Sequence, residues 1–335
     1  IYIGRQMDRL GAATIMAVGS ALASVMLVLC AVAPSVATFA IAIILLEVSS
    51  GMVQYQAAFA TLVESDAHSA SRSITYLTLI GGFASTIFWP ISSVLASHLS
   101  WREIYLVFAA LNLVICMPLH VWIRSLGKTA RGLPARAKPT VVGAVPPHMR
   151  QRTMLIVSVA FALLGFTLSA MLAHMVPMLG SIGLGAAAVV IGSLFGPAQV
   201  LSRLINMVFG KRLSPPGLAV LSAVLIVSGV VMLLMSSDWL PGAVAFAICL
   251  GLGSGINSIA QGSLPLYLAG SEGYGAMTGK LTAARLAVGA FAPFAFAAAM
   301  ENVGLSFALA ANAGLGALSI AAFVIVARSC RAQVA

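Results

Sequence analysis

Ten stretches of roughly twenty or more residues, 12–33, 36–63, 73–97, 102–123, 153–176, 186–209, 217–236, 241–263, 280–300 and 304–327, are almost free of charge, and this spacing leaves few folds open. About 20 apolar residues in a helix span the hydrocarbon core of a bilayer. Lipid satisfies no backbone N–H or C=O, so each crossing must be a helix unless the chain closes a β-barrel. Barrel strands alternate polar and apolar residues, and that alternation is missing here. The expected class is an all-α polytopic membrane protein. Composition agrees, since 61% of the 335 residues are hydrophobic and 8% are charged, against about a quarter charged in soluble domains. A soluble enzyme, a secreted disulfide scaffold and a disordered tail are excluded. Cys30, Cys116, Cys249 and Cys330 show neither a CxxC pair nor metal-ligand spacing, and they read as inert packing residues.

The remaining charge is lopsided, with 18 Lys and Arg against 8 Asp and Glu, formally +10. In a soluble protein that excess would suggest nucleic acid. In a membrane protein it sets topology, because short loops rich in Lys and Arg stay cytoplasmic. Arg203 and Arg285 fall inside spans and Arg102 alone on one set of loops, which leaves fifteen of the eighteen on the other set. An even number of spans then places both visible ends in the cytoplasm. The expected setting is a multi-pass monomer in a bacterial cytoplasmic (inner) membrane, with the lipid bilayer and no nucleic acid as partner. Residues 125–152 lack acids and are punctuated by Pro134, Pro139, Pro146 and Pro147; they read as a cytoplasmic basic linker between two helical bundles.

Four spans precede that linker and six follow. Gly4-Arg5-Gln6-Met7-Asp8-Arg9-Leu10-Gly11, just before the first complete span, accounts for the imbalance. This G-x-x-x-D-R-x-G pattern resembles the loop between helices 2 and 3 of the major facilitator superfamily. Its glycines permit a tight reversal, and Asp8 suits the positive end of a helix. The resemblance implies that Asp8 latches onto the cytoplasmic end of helix 11, near 279–281, with Gly4, Arg9 and Gly11 completing the loop motif. Ala12 and Ala13 replace the family's usual basic pair. Gly210-Lys211-Arg212-Leu213 resembles the second half's counterpart without its Asp. The implied architecture is a two-bundle fold with about ten of twelve helices present. Residues 1–124 are its N-terminal bundle, lacking helices 1 and 2, and 153–335 its C-terminal bundle. Ile1-Tyr2-Ile3 would be the last turn of helix 2.

An ionisable group at mid-bilayer costs several kcal/mol unless paired or facing water, so it marks a functional candidate. Glu47 lies about eleven residues into its span. In a continuous helix its face includes Gly51, Gln54, Tyr55 and Ala58. Family proton antiporters often carry Arg-x-x-Gln-Gly here, whereas this chain reads Glu47-Val48-Ser49-Ser50-Gly51. A buried carboxyl loads and releases protons, which makes Glu47 the proton-coupling candidate; the alternative is a structural carboxyl bonded to a neighbouring helix. Arg203 is either a snorkelling side chain or an anchor for a carboxylate. Gln199-Val200-Leu201-Ser202-Arg203 resembles a segment of monocarboxylate transporters in which Arg follows Asp by four residues; Gln199 stands at the Asp position. Gly81-Gly82 through Pro90 and Ser100-Trp101-Arg102 also look like that branch. Arg285 either snorkels or contacts substrate, and Asn257 and Gln261 either bind substrate or join helices. His174 with Met171, Met175 and Met178 is either a soft-metal entry site or a lipid-facing stripe with an interfacial His; no metal is assigned.

No Walker loop, Rossmann fingerprint, G-x-S-x-G or H-E-x-x-H occurs, so neither an enzyme nor an ATP-driven pump is expected, and no cofactor. The sequence points to a secondary transporter working by alternating access. Protons are the expected driver, and the expected cargo is a small organic anion such as a monocarboxylate. The substrate-binding candidates are Arg203, Gln54, Tyr55, Gln199, Asn257 and Arg285. The alternatives are proton-coupled drug or cation efflux, and a non-transporting membrane sensor with the same fold.

Overall fold

Helices occupy all ten predicted stretches in the computed structural model, which describes residues 1–131, 140–210, 213–236 and 239–331. The linker residues Pro134, Arg136, Lys138 and Pro139, and Lys211 and Arg212, lie outside the described residues. In chain order the helices are α1 (Tyr2–Leu10), α2 (Ala12–Val32), α3 (Val36–Ser50), α4 (Tyr55–Ser65), α5 (Ala70–Gly82), α6 (Ala84–His98), α7 (Trp101–Leu111) and α8 (Met117–Arg131). They continue as α9 (Pro147–Leu179), α10 (Ala187–Ser193), α11 (Phe195–Phe209), α12 (Pro215–Ser236), α13 (Leu240–Ala269), α14 (Tyr274–Asn302) and α15 (Leu305–Arg331). Wider π-helical turns join α7 to α8 at Asn112–Cys116 and follow α9 at Gly180–Leu184. Extended pairing among the described residues is limited to one isolated bridge, Val142 with Gly270.

Three predicted segments differ in local form. Nine helical runs among the described residues are long and apolar enough to cross a membrane; the tenth expected span, 73–97, is divided at Phe83 into α5 and α6. Gly81 and Gly82 precede the break and weaken the helix there. A tight turn follows, with the Phe83 N–H donating to Ile80 O at 3.1 Å. The span 36–63 is interrupted at 51–54 between α3 and α4. The motif expected as a loop is instead the helix α1, and the reversal falls on Gly11 alone, at φ 91° and ψ 133°.

The chain divides into two compact units. The first comprises residues 1–73, 84–141 and 271–279, and the second residues 74–83, 142–270 and 280–335. In the first unit α2 is central and packs on α1, α3, α4, α7 and α8. Its buried face is built of Ala12, Ala17, Gly19, Ser20, Ala23 and Ser24, small residues that let helix backbones approach where lipid supplies no hydrophobic drive.

In the second unit α13 packs against α11, α12 and α9, while α15 packs on α9 and α12. Phe161 and Phe323 meet edge to face with centroids 5.0 Å apart at the centre of this core. Met171, Met175 and Met178 are buried in the same core, so they are packing residues and not a lipid-facing stripe. Pro293 inside α14 has no N–H to give the carbonyl of Gly289, four residues earlier. The hydroxyl of Ser169 on α9 donates to that carbonyl at 2.8 Å, and His174 Nε2 lies 3.0 Å from Pro293 O. His174 is thereby accounted for as a bridge from α9 to the proline-bearing helix α14.

Candidate functional site

The Asp8 motif owes its geometry to close backbone packing. Gly4 faces the Gly275 carbonyl so closely that a Cβ would collide with it. That approach sets Asp8, one turn later, against the first turn of α14. Its Oδ1 accepts from the Gly275 N–H at 2.8 Å and its Oδ2 from the Ala276 N–H at 2.7 Å. Free N–H groups are available only at a helix start, so the contact falls at 275–276, a turn before the expected 279–281. Arg9 is exposed in the last turn of α1.

A second carboxylate repeats the device. Glu64, near the end of α4, accepts from the Ala12 N–H through both oxygens, at 2.9 and 3.1 Å. It caps the start of α2 immediately after Gly11. Glu64 was not singled out in the sequence, although an acid closing an apolar run was a usable signal. Asp8, Glu64, Asp66 and Glu272 line one cavity of about 240 Å³. Asp66 accepts from the Ser69 hydroxyl at 2.6 Å and the His68 N–H at 3.1 Å, and the Ser69 bond is the main cause of its carboxyl lying below the usual range.

Around Glu47 the continuous polar stripe is replaced by a short relay across the break. The Ser50 hydroxyl donates to the Glu47 backbone carbonyl at 2.9 Å and reaches Glu47 Oε2 at 3.5 Å. Gln54 Nε2 reaches Ser50 Oγ at 3.4 Å. Between them, the Met52 N–H turns back to Ser49 O and the Val53 N–H to Ser50 O. The interrupted segment packs on α2, where Gly19 leaves room for Met52 and Val53. Tyr55 is drawn elsewhere and stacks on Phe59 at 5.5 Å.

In the second unit the α11–α13 contact collects most of the remaining candidates. Gly251 and Gly255 of α13 press on the backbone of α11 at Phe195 and Gln199, and the close approach lets short serines meet long side chains. Gln199 Nε2 donates to Ser254 Oγ at 2.9 Å, and one turn on Arg203 Nη2 donates to Ser258 Oγ at 3.1 Å. Arg203 is only 3% exposed and does not snorkel. Gly82 of α5 leaves the space its Nη1 occupies. Asn257, on the same face of α13, is also 3% exposed, and its Oδ1 accepts no hydrogen bond among the described residues. Arg285 lies apart, its methylene stem over Gly165 of α9. Ser254 and Ser258 were missed because serine is common in membrane helices. His120 was missed too: its Nδ1 is 2.8 Å from the buried Ser20 hydroxyl and ties α8 to α2. Among the described residues no group of three His, Cys, Asp or Glu is placed to hold a metal.

Two compact helical units, with charged side chains inside their apolar helices, form a polytopic membrane fold. A sequence model of the Major Facilitator Superfamily matches residues 1–293, and the chain belongs to that family, whose members are membrane transporters and not enzymes. Among solved structures the human organic anion transporter MFSD10 is similar at 14% identity, covering 96% of this chain and 79% of its own, with a TM-score of 0.71. A proton:xylose symporter is similar at 11% identity, with 95% and 80% covered and a TM-score of 0.70. The E. coli fucose:proton symporter is similar at 14% identity, with 97% and 86% covered and a TM-score of 0.66. No curated protein matches the chain by sequence.

Proposed function

We propose that this chain is a proton-coupled secondary transporter that moves a small organic anion by alternating access. The observation that carries the reading is Arg203, a guanidinium buried within a membrane-spanning helix and held by the Ser258 hydroxyl. An ionisable group within a span marks a functional candidate, and a planar guanidinium suits a carboxylate. Asn257, Gln199 and Arg285 add polar contacts for the cargo. The organic anion carried by one structural relative supports the same substrate class. Glu47 is the coupling carboxyl, with Ser50 and Gln54 hydrogen-bonded beside it, and the two proton symporters among the relatives support that driver. The bundles are 1–124 and 153–335, joined by the basic linker 125–152. Linker and C-terminus lie on the cytoplasmic side of a bacterial inner membrane, where the Lys and Arg excess holds them.

The test is uptake of labelled lactate, benzoate and tetraphenylphosphonium into proteoliposomes of the full-length protein. The expected result is anion accumulation under an inward proton gradient and anion counterflow at equal pH. Glu47→Gln removes the accumulation and keeps the counterflow. Arg203→Lys reduces both at least tenfold, because a lysine cannot bind a carboxylate bidentately. Flux of the phosphonium alone would establish cation efflux instead. No flux from any of the three would leave the sensor reading.

A further inference from the structure

The first unit has a second cavity, of about 610 Å³, at the opposite end of α2 from the Asp8 loop. It forms where α2 ends at Val32, α3 begins at Val36 and α7 begins at Trp101. All three are ends of membrane-crossing runs, so the cavity sits at headgroup depth, where aromatic belts form. Its walls include three rings set edge to face. Phe39 and Trp101 are 5.4 Å apart, Phe39 and Tyr105 6.0 Å, and Trp101 and Tyr105 6.1 Å, with interplanar angles of 81° to 85°. The Arg102 guanidinium lies over the Trp101 ring at 4.2 Å, and its Nη2 donates one long hydrogen bond to Ala33 O at 3.4 Å.

The charge of Arg102 is left uncompensated by its chain neighbour. The Glu103 carboxylate turns to the Ser100 N–H and hydroxyl, both at 2.8 Å, and among the described residues no acid lines the cavity. A stacked guanidinium keeps its planar fork of donors, which matches a phosphate. The volume lies within the roughly 300–1,000 Å³ of small-molecule sites. Val36 on the cavity wall is 87% exposed and Val32 beside it 62%, so a hydrocarbon chain leaving the cavity meets apolar side chains. We propose that this cavity seats the headgroup of an anionic phospholipid, with its phosphate on Arg102 and its glycerol and first methylenes against Phe39, Trp101 and Tyr105. The site is separate from the transport candidates and lies in the leaflet facing away from the basic loops.

The probe is brominated phosphatidylglycerol, which quenches tryptophan on contact. It is titrated into the full-length protein in detergent with Trp89, Trp122 and Trp239 replaced by Phe, so that Trp101 reports alone. Phosphatidylglycerol should quench at about tenfold lower mole fraction than brominated phosphatidylcholine, the size of one charge-assisted hydrogen bond. Arg102→Gln removes that preference, and Arg102→Lys keeps several-fold of it on a protein that retains the charge. Phe39→Ala weakens both lipids equally. Equal quenching by the two lipids, a preference surviving in Arg102→Gln, or one lost in Arg102→Lys overturns the assignment. Displacement of the brominated lipid by millimolar inorganic phosphate overturns it too, and assigns the site to a soluble anion.

Discussion

Removing the Asp8 carboxylate offers a quantitative test of how the first unit is closed at its loop end. Asp8 accepts two hydrogen bonds, at 2.8 and 2.7 Å, from consecutive N–H groups at the start of α14. A hydrogen bond to a charged group contributes about 1.5–3 kcal/mol, and an exposed carboxylate such as this belongs at the low end. Two bonds, plus about 0.5 kcal/mol from the helix dipole, give roughly 3.5 kcal/mol, which is several hundredfold in a local opening equilibrium. Asp8→Ala should therefore lower the hydrogen-exchange protection of the Gly275 and Ala276 amides several hundredfold. Asp8→Asn keeps one neutral hydrogen bond of about 1 kcal/mol, and should lose roughly fiftyfold. Exchange measured by mass spectrometry in detergent, on peptides covering 271–279, reads this directly. Amides in Asp8→Ala as protected as in the parent would refute the reasoning. So would Asp8→Asn falling as far as Asp8→Ala.

Two further outcomes follow from contacts already described. Gly255→Ala places a methyl group against Gln199 O and Ser202 Oγ, where backbone cannot yield. It should lower thermal stability by about 1–3 kcal/mol despite alanine's better helix propensity. Gly314→Ala, with open space around it, should be neutral or stabilising by up to about 1 kcal/mol, and melting curves of the two variants give the comparison. Asp66 sits below its ordinary value because the folded chain hydrogen-bonds its charged form. Its contribution is therefore complete above the ordinary carboxylate pKa and is lost as pH falls through the lower folded value. Ser69→Ala removes the main cause, so the melting temperature should fall less between neutral and acid pH than in the parent.

The spans were readable because lipid leaves the backbone no choice, and about twenty uncharged residues can serve little else. Asp8 was readable because its neighbours form a dense local pattern. The interruption at 51–54 was not, since nothing between Glu47 and Gln54 breaks a helix outright. The residue it packs against is Gly19, some thirty residues earlier and on another helix. The Glu64 cap joins residues 52 positions apart, and the Gln199–Ser254 and Arg203–Ser258 pairs each join residues 55 apart. Periodicity within one segment contains no information about such pairings. Snorkelling remained open for Arg203 because depth along a span is legible in sequence while rotation toward α5 and α13 is not.

The gap between α3 and α4 also has a mechanical meaning. An unbroken 30-residue rod would transmit any tilt or twist at one end to the other, so the Glu64 cap on α2 would feel every displacement at Glu47. With 51–54 folded as turns and seated on Gly19, the span behaves as two short levers on a shared pivot. Torque applied to the half that bears Glu47 dissipates at the pivot before it reaches the half that bears Glu64. One crossing of the bilayer can thus hold a moving part and a fixed part at the same time.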